Sequence, residues 1–316
     1  MGNSRDTSLQ VILDTALPFF AVILSGWLAL RWRLVDEDGV RGLNGFVFWI
    51  ALPALLVSKV AEAPLERVFD GPYLLAYYVP ALAIYALVFG VGVGVQHLDR
   101  GHAALRALGA VWGNTGFMGI PLLLSAFGPE WVIPVVVALF LDMTISQPLT
   151  VAILESRRGR GVAALRQTAV NLARNPLVIA VLVGLLMAIL GLGMPKPVDS
   201  FLHIVGAAAS PCALFALGGA LVGVPISHGK RDLAWLSLLK LVGHPALVWI
   251  VGTTLVPLDP KLLHAAVITA ALPTATTVFV LAQRYDVFVL RSSTLVLVTH
   301  AASVVTLSVL LALFSG

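Results

Sequence analysis

Apolar stretches of about twenty residues, the length that crosses a bilayer as a helix, follow one another along this chain. About ten of them lie near 9–30, 39–59, 72–95, 104–126, 132–154, 175–193, 200–222, 233–255, 262–283 and 288–314. In hydrocarbon every backbone N–H and C=O must be bonded within the chain, so such segments fold as helices. A soluble domain carries about 25% charged residues. This chain carries 11%, with 59% hydrophobic residues and a mean hydropathy of +0.96. It therefore reads as an all-α integral membrane protein. The first stretch begins near Leu9, contains Asp14 and ends in Arg31-Trp32-Arg33 without a small-residue cleavage site, so it reads as a span. The single cysteine, Cys212, allows no internal disulfide and reads as a small buried apolar residue.

One span is unlike a stable helix. Ala110 to Leu124, AVWGNTGFMGIPLLL, holds Gly113, Gly116, Gly119, Pro121, Asn114 and Thr115. Proline removes a backbone donor and crowds the carbonyl one turn back, and glycine weakens the helix further. Freed backbone groups at membrane depth need protein or water partners, which predicts a helix broken where it lines a cavity. The competing reading is a proline-kinked packing helix with small residues at a close contact. Ala270 to Ala282, AALPTATTVFVLA, is similar, with Pro273 interrupting it and Thr274, Thr276 and Thr277 beside the break.

These two stretches belong to a weak repeat. Pro18 and Pro53 correspond to Pro176 and Pro211, and Gly26 to Gly184, at an offset of 158. Pro121 corresponds to Pro273 at an offset of 152, which sets Asn114 against Ala266. Five spans per half is an odd number, so the second half enters the membrane in the opposite sense. The expected architecture is a 5+5 inverted repeat, with halves 1–154 and 175–316 joined by a linker, 155–174.

Basic residues set the orientation. Numbering the loops alternately puts 14 of the 20 Lys and Arg on one side and 5 on the other (Arg5, Lys59, Arg67, Lys196, Lys261), with Lys240 inside a span. The positive-inside rule places the richer side in the cytoplasm and both termini outside a cell membrane. The formal charge of +4 thus orients spans and does not indicate nucleic acid.

Polar groups within spans are the candidates for chemistry. Asn114 and Thr115 stand at the first break; the amide can contact a carboxylate, cap the following half-helix, or both. Half-helix N-termini favour anions, and neither broken stretch holds a carboxylate, which favours an anionic substrate. Asp142 is the acid deepest in an apolar span, a carrier of a proton or sodium ion or a lock between helices. Lys240 could pair with Asp142, attract an anion, or snorkel to the interface. His244 and His300 could shuttle protons or pack. Trp112 and Trp131 suit interface anchoring, or for Trp112 the border of the cavity; Pro53, Pro148 and Pro211 suit kinks, and GVGVGV at 90–95 suits close helix contact. No Walker loop, HExxH or GxSxG motif is present, and no catalytic, metal or cofactor set is assigned.

At GNTGFMGIPLLL and ALPTATTVFVLAQRYD the sequence resembles the auxin efflux carrier family, which holds plant PIN carriers and bacterial organic-acid permeases. The resemblance covers most of the chain. It implies a fold like the bile-acid–sodium symporters: a scaffold from spans 1, 2, 6 and 7, and a transport domain from spans 3–5 and 8–10. Spans 4 and 9 would cross at Pro121 and Pro273, and Asn114 would meet the substrate carboxylate. Lys240 followed by Pro245 matches the eighth span. Thr274 replaces a glutamine of plant carriers and His300 an expected proline, departures that argue against an auxin-like substrate. Family members commonly form homodimers.

The expected function is a secondary transporter of small organic anions, working by alternating access. Its site comprises Asn114, Thr115, Gly116, Pro121, Pro273 and Thr274, with Asp142, Lys240 and His300 as coupling or gating groups. The expected partners are the anion, the lipid bilayer and a proton or sodium ion. The alternative is a membrane-embedded ligand sensor or interaction subunit that moves nothing; a passive channel lacks an evident filter motif.

Overall fold

The computed structural model describes residues 17–62, 70–156, 161–223 and 230–314, without the side chains of 161–165, 168 and 230. Asp14 and the start of the first span, together with Arg5, Arg67, Arg157, Arg158 and Arg160, lie outside the described residues. Among the described residues, the secondary structure is helical apart from one isolated bridge between Gly113 and Thr274.

Among the described residues, six helices are long and apolar enough to cross a membrane, which makes this a multi-pass membrane protein. They are α2 (Glu37–Ala61), α3 (Gly71–Gly94), α6 (Pro129–Ser156), α9 (Lys196–Ala220), α10 (Arg231–Leu255) and α13 (Val289–Phe314). Three shorter apolar helices join them: α1 (Leu17–Arg31), α5 (Thr115–Phe127) and α8 (Pro176–Leu190). The rest are α4 (Arg100–Val111), α7 (Gly161–Ala173), α11 (Pro260–Ala270) and α12 (Thr276–Tyr285). The apolar segments 104–126 and 262–283 are thus not continuous helices; each is a pair of shorter helices, α4–α5 and α11–α12.

Local sequence sets the helix starts. Asp36, Asp70, Asp99, Asn175 and Asp259 each accept a hydrogen bond from a free backbone N–H in the first turn of α2, α3, α4, α8 and α11. Five prolines share one solution. Five π-helical turns (Val47–Ala51, Thr115–Gly119, Asp142–Ser146, Leu239–Gly243 and Val251–Leu255) each end two residues before a proline: Pro53, Pro121, Pro148, Pro245 and Pro257. In each, the residue just before the proline donates to the carbonyl five back, as Gln147 does to Asp142 and His244 to Leu239. The widened turn takes up the register that a proline, lacking an N–H, cannot continue. Thr115, Asp142 and Lys240 all lie in such turns.

Helices in lipid gain nothing from hiding apolar surface from one another, so close packing at small residues holds them together. α1 crosses α9 backbone to backbone: a Cβ on Gly26 would lie 1.9 Å from the Phe215 carbonyl oxygen, and one on Gly218 would lie 1.8 Å from that of Ile23. α8 crosses α2 at Gly184, where a Cβ would meet the Val57 carbonyl at 3.0 Å. α1, α2, α8 and α9 form one packed group, while α3, α4 and α10–α12 form another around a second apolar core. α6, α11 and α13 contribute to both cores.

Several sequence expectations change. Trp112 and Trp131 are buried, so neither is an interface anchor. Of the GVGVGV glycines only Gly92 makes a close contact, with Ala103; Gly90 and Gly94 face open space. Cys212 is only partly buried. Arg106, counted among loop charges, is fully buried one turn before the end of α4. Its guanidinium donates to Gln96 and Asp232 and lies over the Trp235 ring.

Candidate functional site

The two interrupted pairs meet at their interruptions. Asn114 N–H donates to the Pro273 carbonyl at 2.8 Å, and Ala275 N–H donates to the Trp112 carbonyl at 3.0 Å. These reciprocal bonds make Gly113 and Thr274 an antiparallel pair. Backbone groups released by ending α4 and α11 are thereby bonded to each other, as buried polar groups require. Thr274 continues the accounting: its hydroxyl donates to the Gly109 carbonyl at 2.8 Å, and its N–H donates to the Thr299 hydroxyl at 3.1 Å. The hydrogen-bonded crossing is therefore at Gly113 and Thr274. Pro273 sits in it, whereas Pro121 lies inside α5 behind a π-helical turn.

Gly113 is required by this approach. A Cβ there would stand 3.2 Å from Leu272 Cβ, 3.3 Å from the Thr269 carbonyl oxygen and 3.5 Å from Lys240 Nζ. That last neighbour corrects one reading of Lys240. The side chain does not snorkel; it is fully buried, and Nζ donates to the Ala270 carbonyl at 2.6 Å. Ala270 is the last residue of α11, so the ammonium sits at the negative end of that half-helix.

Asn114 and His300 also meet. Asn114 Nδ2 is 3.1 Å from His300 Nε2, and His300 Nδ1 is 2.8 Å from the Val296 carbonyl oxygen. A carbonyl only accepts, so Nδ1 carries the ring proton and Nε2 accepts from the amide. His300 thus orients Asn114 from α13. Asn114 does not cap α5 with its side chain. Thr115 is buried with its hydroxyl unpartnered.

Asp142 lies in the same buried layer, without a direct ion pair. Oδ1 accepts from Ser146 at 3.3 Å, and Oδ2 has no partner. Asp142 and Lys240 feel each other electrostatically, but no salt bridge links them among the described residues. Around them the Tyr77 hydroxyl and both ring nitrogens of His244 are buried and unpartnered, with the two rings 5.8 Å apart. Tyr77 was not singled out from the sequence, since one tyrosine in an apolar helix reads as packing; its pairing with His244 depends on the contact between α3 and α10.

A cavity of about 780 Å³ approaches this layer. Its walls come from α2 (Glu37, Arg41, Asn44, Phe48), from Phe117, from the end of α9, and from α12 and α13. Thr276 and Thr277, the first residues of α12, line it, as does Val296, one turn from His300. Ala275, at the N-cap of α12, makes no side-chain cap, so the first turn of that half-helix, which holds Thr276 and Thr277, has no side chain bonded to its N–H groups at the N-cap. Asn114, Thr115 and Thr274 are sealed behind this wall at 3%, 1% and 0% exposure. From sequence the threonines after Pro273 read as satisfying released backbone groups; their position on the cavity wall follows from α12, packed on α13 and α4, standing across the cavity from α2 and the end of α9.

Chemically, the arrangement offers the hydroxyls of Thr276 and Thr277 on the wall of a cavity that also carries Glu37, Arg41 and Asn44, with the Lys240 amine buried at the crossing. It offers no nucleophile–base pair. A broken, cross-bonded helix pair at the end of a cavity in a multi-pass membrane protein is the apparatus of a membrane transporter. The chain belongs to the auxin efflux carrier family of membrane transporters: the family described as "Membrane transport protein" matches residues 11–311. Such proteins are transporters and not enzymes. Among curated relatives, the chain is 32% identical over 306 residues to a Rhizobium meliloti (strain 1021) protein named "Putative malonate transporter", covering 95% of each chain. It is 25% identical over 291 residues to "Uncharacterized transporter YfdV" of Escherichia coli (strain K12), covering 89% of this chain and 90% of that one. It is 22% identical over 329 residues to "Auxin efflux carrier component 8" of Arabidopsis thaliana, covering 87% of this chain and 89% of the other.

Proposed function

We propose that this chain is a secondary transporter of small organic anions, working by alternating access around the Gly113–Thr274 crossing. The observation that carries this reading is the reciprocal backbone bonding of the two breaks, Asn114 to Pro273 and Ala275 to Trp112, at the closed end of the cavity. Counting α4–α5 and α11–α12 as one crossing each gives ten spans, with α7 as the linker. The exchange of partners between halves (α1 on α9, α8 on α2) supports a 5+5 inverted repeat of residues 1–154 and 175–316. In this reading α1, α2, α8 and α9 are the scaffold, and the rest of the spans move against it.

The cavity is bounded by Glu37 and Arg41 at the start of α2 and by Gln283 and Ser293 near Arg284 and Arg291. These lie on the arginine-rich side; in this reading the cavity opens inward and both termini lie outside the cell membrane. A substrate carboxylate would meet the N–H groups and hydroxyls of Thr276 and Thr277 first. Asn114, Thr115 and Thr274 would engage it as the wall rearranges, with Gly116, Pro121 and Pro273 shaping the backbone. Lys240 supplies the positive charge nearest the crossing, and Asp142 is the acid available for coupling to a proton. The name of the Rhizobium relative makes malonate and other short dicarboxylates the first substrates to try.

The test is charge movement and labelled uptake in proteoliposomes across a panel of mono- and dicarboxylates, wild type beside Asn114→Ala. Substrate-dependent transport is expected, reduced about tenfold to a hundredfold in the variant, the size of effect that an unpartnered buried group produces. Absence of transport of any carboxylate by folded wild type, or full transport by the variant, would overturn the reading or its site respectively.

A further inference from the structure

A cluster of metal-binding character lies away from both the crossing and the cavity. Glu37 and Arg41, at one end of α2, line the cavity; Glu62 follows the other end of the same helix. Beside Glu62 are Asp199 and His203, one turn apart on α9. His203 Nε2 is 3.4 Å from Asp199 Oδ1 and 3.7 Å from Glu62 Oε1. One ligand atom from each of the three residues lies within 4.8 Å of the others. Two carboxylates therefore converge on a single ring nitrogen.

The surroundings hold this convergence in place. Lys59 Nζ donates to the other oxygen of Glu62, Oε2, at 3.1 Å. That contact steadies the carboxylate and leaves Oε1 turned to His203, the outer partnering that orients metal ligands. The two helices are in fixed register, because Gly206 lies against the Leu55 backbone, where a Cβ would be 3.1 Å from Leu55 Cα. All three side chains are about half exposed, so an ion from the aqueous phase reaches them.

The donor set selects the ion. Calcium and magnesium take mainly oxygen ligands in sets of about six or more, whereas one imidazole with carboxylates suits zinc and its neighbours at about 2.0–2.2 Å. Ligand atoms around such an ion are a little over 3 Å apart, so these three close in by rotamer adjustment alone. We propose that Glu62, Asp199 and His203 bind one divalent transition-metal ion of the zinc class, which clasps α2 to α9 at the end of the molecule opposite the cavity. Water completes the coordination.

The experiment uses untagged full-length protein in nanodiscs, titrated with Co²⁺ by visible absorbance and with Zn²⁺ by thermal unfolding. The expected result is saturable binding of one ion per chain with a rise in Tm. His203→Ala and Asp199→Asn should each abolish the rise, and Glu62→Gln should weaken binding by about tenfold or more. All three positions are exposed, so the variants should fold; an unchanged Tm without metal verifies this, and Asp199→Asn serves where His203→Ala does not fold. Absence of saturable binding to wild type, or equal binding by a folded variant lacking the imidazole or the Asp199 carboxylate, would overturn the proposal. No transport measurement enters, so the result is independent of the substrate assignment.

Discussion

The two interrupted stretches look alike in sequence and are built differently. In 110–124 the helix stops at Trp112–Asn114, and Pro121 comes later, absorbed by a widened turn inside α5. In 270–282 the proline is in the break itself. Pro273 gives its carbonyl to Asn114, and because the Thr274 N–H goes to Thr299, the Ala270 carbonyl is left to Lys240. Aligning the two prolines therefore puts Asn114 against Ala266, whereas the structure pairs Gly113 with Thr274, an offset of 161 (274 − 113). That value is closer to the 158 of the first two spans than to the 152 between the prolines. The lesson is that a proline in a membrane helix marks strain without saying where the chain opens. The answer depends on whether a π-helical turn can take up the register before it.

The largest effect should come from filling the crossing. Gly113→Val places branched carbon atoms where Leu272, Thr269 and the Lys240 ammonium already stand. Overpacking of about 1–3 kcal/mol is expected, with transport lost even where folded protein is recovered. Fluorescence-detected size exclusion combined with uptake separates the two; near-normal transport would show that the breaks need not approach so closely.

Next in size is the contrast between the prolines. Pro273→Ala adds an N–H whose helical acceptor, the Thr269 carbonyl, already bonds the Leu272 N–H, so it crowds that bond or stays unpartnered, a cost of about 1–3 kcal/mol. Pro121→Ala adds one inside α5, where a carbonyl of the preceding turn can accept it, and should cost less than about 1 kcal/mol. Transport and thermal stability measured side by side should rank Pro273→Ala well below Pro121→Ala. Equal damage would mean the two breaks are alike after all.

Asp142→Asn should act more subtly, because the residue lies behind the crossing and not in it. An amide cannot gain or lose the carboxyl proton, so the expected outcome is a flatter pH profile, varying less than about twofold over about two pH units. Uptake in proteoliposomes buffered from mildly acid to mildly alkaline checks it. A profile matching wild type would leave Asp142 as a hydrogen-bonding partner of Ser146 and nothing more.

Much of the candidate site was legible before any coordinates. Glycine and proline inside apolar segments locate the breaks, because helix strain is a local property of a few residues. A buried acid, lysine or histidine stands out wherever the surroundings are apolar, so Asp142, Lys240 and His300 were visible. The aqueous route to the site was not. Thr276, Thr277, Asn44 and Arg41 are unremarkable in sequence, and they line one cavity only because α2 faces α12.

By itself the sequence determined that the chain is helical in a membrane, where its helices weaken, and which family it belongs to. These follow from backbone hydrogen bonding in hydrocarbon, proline geometry and motif similarity, each readable within a short window. Only the tertiary structure decided that Gly113 meets Thr274, that His300 orients Asn114, and that Lys240 reaches the end of α11 and not the interface. Those contacts join residues far apart in the chain. Their partners are chosen by how glycine-faced helices approach one another and by the need to bond every freed backbone group, and no local pattern encodes that choice.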